Sequence, residues 1–321
     1  MKSNFDFLNR YWPALAQIGA TAENYVYSDP NACVYKLGMF AERLVQEILV
    51  FEHIAEPVND NTHADRIRIL KRAGLLSHEI DNTLYILRKT RNSAVHAGTD
   101  SVDEAKTLLS LTYNLAVWFM ETYGDWGYIA LEFVMPVEIT HEGLESVIAE
   151  QEKKIVELTK QLAVVKTAAS GKTQKERAKR SESVSAMMNW NEAQTRCLID
   201  EQLRLSGWGA DTQNLRYSKG TRPVKGRNLV ISEWPTNSAF STKGYADYAF
   251  FVGEKLVAVM EAKKVSEDVA STIDVQVKDY AAHIKTEDLP YTVGNWNGYQ
   301  VPFLFASNGR AYLEQLRTKS G

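Results

Sequence analysis

The run Ala246-Asp247-Tyr248-Ala249-Phe250-Phe251, a break at Gly253-Glu254-Lys255, and the run Leu256-Val257-Ala258-Val259-Met260-Glu261-Ala262-Lys263 decide how the C-terminal part of this chain folds. Both runs are short and rich in aromatic and β-branched residues, and the glycine between them suits a tight hairpin turn. Side chains alternate across a strand, so Glu261 and Lys263 project from one face, and the antiparallel return can bring Asp247 beside them. Two carboxylates and one ammonium then close an otherwise apolar ribbon. Phosphodiester hydrolysis needs such a set. Two carboxylates can hold Mg²⁺, which neutralises phosphate charge and lowers the pKa of a bound water. A lysine can orient that water or stabilise charge in the transition state. The alternative is a strand end whose charges are only solvated.

On the N-terminal side of this hairpin, Glu192 to Leu205 forms an amphipathic stretch that Gly207-Trp208-Gly209 ends. On the other side a helical stretch is predicted from about Ser271 to His283, and a further strand from Val301 to Ala306, closed by Ser307-Asn308-Gly309. Together these make a mixed α/β unit over residues 189–321. Gln276 and Tyr280 stand four apart on the predicted helix and can face the same site. Glu192, at the start of its helix, can supply a third carboxylate for a metal. Between Asp211 and Glu233 there is no acid, whereas Arg216, Lys219, Arg222, Lys225 and Arg227 crowd the segment. A basic loop of this kind suits contacts with a nucleic-acid backbone, or serves as a soluble connector.

Residues 1–136 read as mainly helical. Phe40, Leu44 and Ile48 share one helical face, as do Leu108, Leu111, Leu115 and Trp118. In residues 137–188, Leu144, Ile148, Gln151, Ile155, Leu158, Leu162 and Val165 recur at alternating spacings of four and three, which fits a coiled-coil seam or a helix packed on a neighbouring domain. From Lys166 to Arg180 the chain is small, polar and basic, as in a solvated linker or helix extension first, and a DNA contact second. A length of 321 residues allows two domains. The net charge is only −3, so a nucleic-acid surface would have to be local. Cys33 and Cys197 fall in different regions, which argues against a disulfide framework and fits a reducing cytoplasm. No signal peptide, membrane span, zinc-ligand spacing or Ser-His-Asp arrangement is evident.

Several separated strings now point the same way. Thr195-Arg196-Cys197-Leu198-Ile199-Asp200, Gly207-Trp208, Tyr217-Ser218-Lys219-Gly220 and Glu233-Trp234-Pro235-Thr236 resemble the nuclease domain of type I restriction endonuclease R subunits, as do Ala246-Asp247-Tyr248, Glu261-Ala262-Lys263 and Ser307-Asn308-Gly309-Arg310. The resemblance covers about residue 190 to the end, and the helical first domain with its coiled segment also looks like that family. It implies an α+β fold: a helical N-terminal domain, a charged helical or coiled-coil connector, and a restriction-endonuclease-like mixed α/β domain of the PD-(D/E)XK type. It also implies that Asp247 and Glu261 bind Mg²⁺, that Lys263 assists hydrolysis, that Gln276 and Tyr280 form a Gln-x-x-x-Tyr element, and that Glu192 matches an acid at the start of the domain. Double-stranded DNA and the modification and specificity subunits are the implied partners. The family continues into an ATP-driven translocase, but no Gly-x-x-x-x-Gly-Lys-Ser/Thr loop is present, and the chain stops at Lys319-Ser320-Gly321. ATP and S-adenosylmethionine are therefore expected only in a full complex, not on this fragment. A non-catalytic docking module is the alternative reading.

Arg91-Asn92-Ser93-Ala94-Val95-His96 resembles the signature of HEPN-type helical domains, some of which cleave RNA. There Arg91 could hold a phosphate and His96 act as acid or base. Otherwise the string ties a helix into its bundle.

Overall fold

A computed structural model describes residues 3–56, 62–97, 101–138, 144–159, 165–188, 190–237, 244–264, 267, 269 and 272–310. The chain divides into two compact units, Met1–Met188 and Asn189–Gly321.

The first unit is helical. Its main helices are α1 (Pro13–Ser28), α2 (Pro30–Phe51), α3 (His63–Arg72), α4 (His78–Ala97) and α5 (Val102–Phe119). Proline opens α1 and α2, where a missing N–H costs nothing. Asp29, Thr62 and Ser101 cap α2, α3 and α5 by accepting a backbone N–H in the first turn. Phe40, Leu44 and Ile48 of α2 are buried, as are Leu108, Leu111, Leu115 and Trp118 of α5. The helical period therefore marks the core faces.

Helices α6 (Leu144–Leu158) and α7 (Gln174–Ser185) belong to this unit. Helix α6 lies against α1 and α2: Asn24 donates to Gln151 at 2.8 Å, and Lys36 meets Glu152 at 2.6 Å. Ile155 of the predicted seam is buried there, so the packed-helix alternative describes it. Leu162 lies outside the described residues. Helix α7 carries part of the basic stretch expected to be solvated, and here the structure differs. Arg177 is buried, with Nε donating to Glu52 Oε1 at 2.7 Å and Nη2 to Oε2 at 2.5 Å. Arg180 donates to the carbonyls of Glu121 and Trp126, both at 3.2 Å. Local composition could not reveal partners so distant in sequence.

In the second unit, α8 (Glu192–Leu205) precedes a five-stranded sheet in the order β1 (Gly209–Ala210), β2 (Asn228–Pro235), β3 (Tyr245–Val252), β4 (Lys255–Ala262) and β5 (Phe303–Ser307). The β2–β3 and β3–β4 pairs are antiparallel; the outer pairs are parallel. Gly253, at φ +59°, makes the predicted turn between β3 and β4. Alternation sends Ile231, Phe251 and Val259 into one core with Val277, Tyr280 and Ala281, and Val230, Tyr248, Phe250 and Met260 into another with Ile199. The predicted helix 271–283 is divided between a π-helical turn, Ile273–Val277, and α9 (Lys278–Ala282). The α+β class expected from the sequence is the class observed. Among the described residues no helix is long and apolar enough to cross a membrane.

Candidate active site

The register that pairs Tyr248 with Met260 places Asp247, one step on, opposite Glu261; that pairing Ser232 with Tyr248 and Trp234 with Ala246 places Glu233 opposite Asp247. Three acids thus share one row across β2, β3 and β4. Asp247 and Glu261 are fully buried. Buried carboxylates persist only when paired or hydrogen-bonded. Asp247 Oδ2 accepts the N–H of Ala262 at 2.9 Å, which fastens β3 to the end of β4. Its Oδ1 accepts Arg196 Nη2 at 2.5 Å. Lys263 Nζ lies 3.0 Å from Glu261 Oε1, while its own N–H extends the ladder to Ser307 of β5 at 2.9 Å.

Arg196 comes from α8, whose start is fixed by a reciprocal capping box between Asn191 and Gln194. One turn earlier Glu192 also meets Arg196 Nη2, at 2.8 Å, and Glu233 Oε1 stands 3.9 Å from Nη1. Burial works against the guanidinium's charge, but Asp247, Tyr248, Glu192 and Glu233 together hold its pKa above the ordinary value. Glu233 adopts a left-handed φ of +55° inside β2. That conformation is uncommon for a residue other than glycine, and after it Trp234 joins the same core as Ile231. Sequence reasoning gave no role to Arg196 or Glu233. The i,i+4 spacing of Glu192 and Arg196 was a usable signal; the left-handed turn at Glu233 had none.

Beneath the row, Asp200 accepts the Thr212 N–H at 2.7 Å, the Thr212 hydroxyl at 2.8 Å and the Tyr248 hydroxyl at 3.1 Å. Burial pushes its pKa up to about 6 despite those bonds. Helix α8 is held from the other side by Gly309, whose carbonyl accepts Gln202 Nε2 at 2.9 Å.

Oxygen donors on two buried carboxylates suit Mg²⁺, which commonly takes one or two carboxylates and keeps several waters. Among the described residues no three Asp, Glu, His or Cys side chains form a group that could hold a metal alone. Glu192 is engaged with Arg196. Tyr280 is wholly buried in the core with Val277 and Ala281, and Gln276 is half-buried on the π turn. The i→i+5 bonding of that turn alters the helical phase on which their shared face was predicted.

In the basic segment Lys219, Arg222, Lys225 and Arg227 are exposed. Arg222 stacks 3.7 Å above the Tyr217 ring. Arg216 is half-buried and directed inward, with Nη1 3.4 Å from Glu233 Oε2. In the helical unit Arg91 Nη1 meets Glu42 Oε2 at 2.6 Å and its guanidinium lies 5.0 Å from the Tyr35 ring centroid. The side chain of His96 lies outside the described residues.

Residues 209–321 match the family model described as the second domain of the type I restriction enzyme EcoKI endonuclease subunit. The whole chain aligns with the type I restriction enzyme EcoKI endonuclease subunit of Escherichia coli (strain K12), at 28% identity over 398 residues. The chain is thus similar, over its whole length and at 28% identity, to one portion of such a subunit. It spans about a third of that relative, 33% of its length against 100% of its own. No solved structure matches. The family-model match begins at β1 and takes in Asp247, Glu261 and Lys263, while the alignment extends the similarity through the helical unit.

Proposed function

We propose that residues 189–321 form the Mg²⁺-dependent DNA-cleaving module of a type I restriction endonuclease subunit. The observation that carries this reading is the buried pair Asp247 and Glu261, placed opposite each other on β3 and β4 with Lys263 3.0 Å from Glu261. Asp247 and Glu261 supply hard oxygen ligands, and Glu192 stands by as a further carboxylate. When bound, Mg²⁺ offsets the phosphate charge and makes water a stronger nucleophile at neutral pH. Lys263, held by Glu261, orients the attacking water and donates to the developing negative charge. Gln276 and Tyr280 position this wall of the site from the π turn and α9. The exposed cations Lys219, Arg222, Lys225 and Arg227 run along the duplex backbone, where contacts give affinity without sequence choice.

On this reading double-stranded DNA is the substrate, and sequence choice and methylation come from separate specificity and modification subunits. ATP and S-adenosylmethionine act in the full assembly. The test is a plasmid-nicking assay on the chain, with and without those subunits, alongside calorimetric titration of Mg²⁺. Cleavage should require Mg²⁺, and both cleavage and metal binding should disappear in Asp247→Ala. Undiminished nicking or Mg²⁺ binding in that variant would overturn the reading.

A further inference from the structure

Arg196 is the least expected occupant of the site. Its side chain is 10% exposed, and a single nitrogen, Nη2, serves two carboxylates: Asp247 at 2.5 Å and Glu192 at 2.8 Å. Its Nε is buried and has no hydrogen-bond partner among the described residues. A buried N–H without an acceptor is costly, and a charged one more so. Arg196 therefore makes charge contacts with the acids while leaving one of its donors unanswered. Asp247 shows the converse: Oδ2 is taken by the Ala262 N–H and Oδ1 by Arg196.

We propose that Arg196 is the resident counter-ion of the nuclease site, a positioning residue that a divalent cation must displace from Asp247 Oδ1. This inference rests on the metal-site reading of Asp247 and Glu261. A cation binding Asp247 through Oδ1 needs oxygen contacts at roughly 2.0–2.1 Å for Mg²⁺, which leaves no room for a guanidinium nitrogen hydrogen-bonded along the same direction. Two positive charges on one buried carboxylate would also repel each other strongly. Without the metal, Arg196 neutralises an acid that burial would otherwise penalise, and so keeps the start of β3 and the first turns of α8 together. With the metal, Nη2 leaves Oδ1. Glu192 and Glu233 then keep the guanidinium charge-compensated nearby, since both already border it. Its Nε–H and the released Nη2 become donors for an anionic oxygen beside the cation, the chemical class a phosphodiester supplies.

The test uses the whole chain and measures binding rather than turnover. Mg²⁺ and Mn²⁺ are titrated calorimetrically into the wild type, Arg196→Gln and Asp247→Asn. An adjacent opposite charge shifts a carboxylate's proton affinity by about one to three decades. By the same logic, removing the competing guanidinium should tighten cation binding by about tenfold or more in Arg196→Gln. Because that variant could lose its fold, a second measurement follows the Arg196 Nε–H resonance in ¹⁵N-arginine-labelled protein. Mg²⁺ should shift this signal in the wild type and leave it in place in Asp247→Asn. Cation binding of equal or lower affinity in a folded Arg196→Gln, with the wild-type resonance unmoved, overturns the displacement while leaving the metal site intact. No cation binding in either the wild type or Arg196→Gln overturns the metal site itself, and the displacement with it.

Discussion

Asp200 accepts three hydrogen bonds and is still an unusually weak acid, because burial outweighs them. Its pKa is about 6 in the fold against 3.8 for the free side chain, so the folded state binds the extra proton. The stability this contributes is complete below about pH 3.8 and is lost as pH rises through about 6, a change of about 3 kcal/mol at most. Asp200→Asn mimics the protonated form, so its unfolding free energy relative to wild type should improve between pH 4 and 7. Denaturant titrations at several pH values would check this, and a constant difference would refute it. Lys263→Met should leave the fold intact, since the ammonium is partly exposed, but lower nicking by about 10²–10⁴ if the lysine handles a proton. Loss of activity matched by loss of folded protein would point instead to a structural role. Asp247, Glu261 and Lys263 could be found in the sequence because strand alternation and a two-residue turn fix where they fall. Glu233 could not, because its place depends on a kink within β2. Arg196 left only its i,i+4 spacing from Glu192 as a signal, since its contact with Asp247 depends on how a distant helix meets β3.

Helix α7 shows how far an element can depart from its composition. Its Arg177 and Glu52 are both buried, and removing one partner of such a pair typically costs about 3–5 kcal/mol. Arg177→Met should destabilise the helical unit by that amount. Combining it with Glu52→Met should restore much of the loss, as a double-mutant cycle would measure. A further prediction concerns the loop before β2. Exchanging Lys219, Lys225 and Arg227 for Gln should flatten the dependence of log K on log salt by roughly 0.9 for each phosphate no longer neutralised. The inward-facing Arg216 should contribute no such change, and an unaltered slope in the triple variant would make the loop a plain connector. Strands β3 and β4 were readable from their apolar runs. Strand β2, Asn228–Pro235, was not, because the basic residues before it and the left-handed Glu233 within it interrupt the alternation. The helix at 271–283 was readable as helical, but no periodicity distinguishes a π turn from an α turn over so short a span.

Each unit of the molecule carries its own core, which predicts two heat-absorption peaks in calorimetry of the intact chain. Arg177→Met should move one peak and Asp200→Asn the other. A single peak shifted by both variants would show one cooperative molecule. The change of texture near residue 189 was visible in the sequence because helical periodicity gives way to short apolar runs. Packing of the 144–165 seam on a neighbouring domain was one of two readings open in the sequence. Its partners, and those of α7, were not legible, since the ties run through Glu52, Lys36 and Asn24, far back in the chain.

Gly309 constrains how this protein can vary. It sits at φ +76°, and a methyl group placed on it would come within 2.8 Å of Leu198 on α8, the helix that carries Glu192 and Arg196. Gly220 and Gly226 also have positive φ, but a side chain there would meet nothing within 4 Å. A library randomised at all three positions and selected for activity should therefore return Asn and Asp readily at 220 and 226 and almost nothing but glycine at 309. The tolerance of this sequence to drift would then be written in a turn that contributes no group to the chemistry.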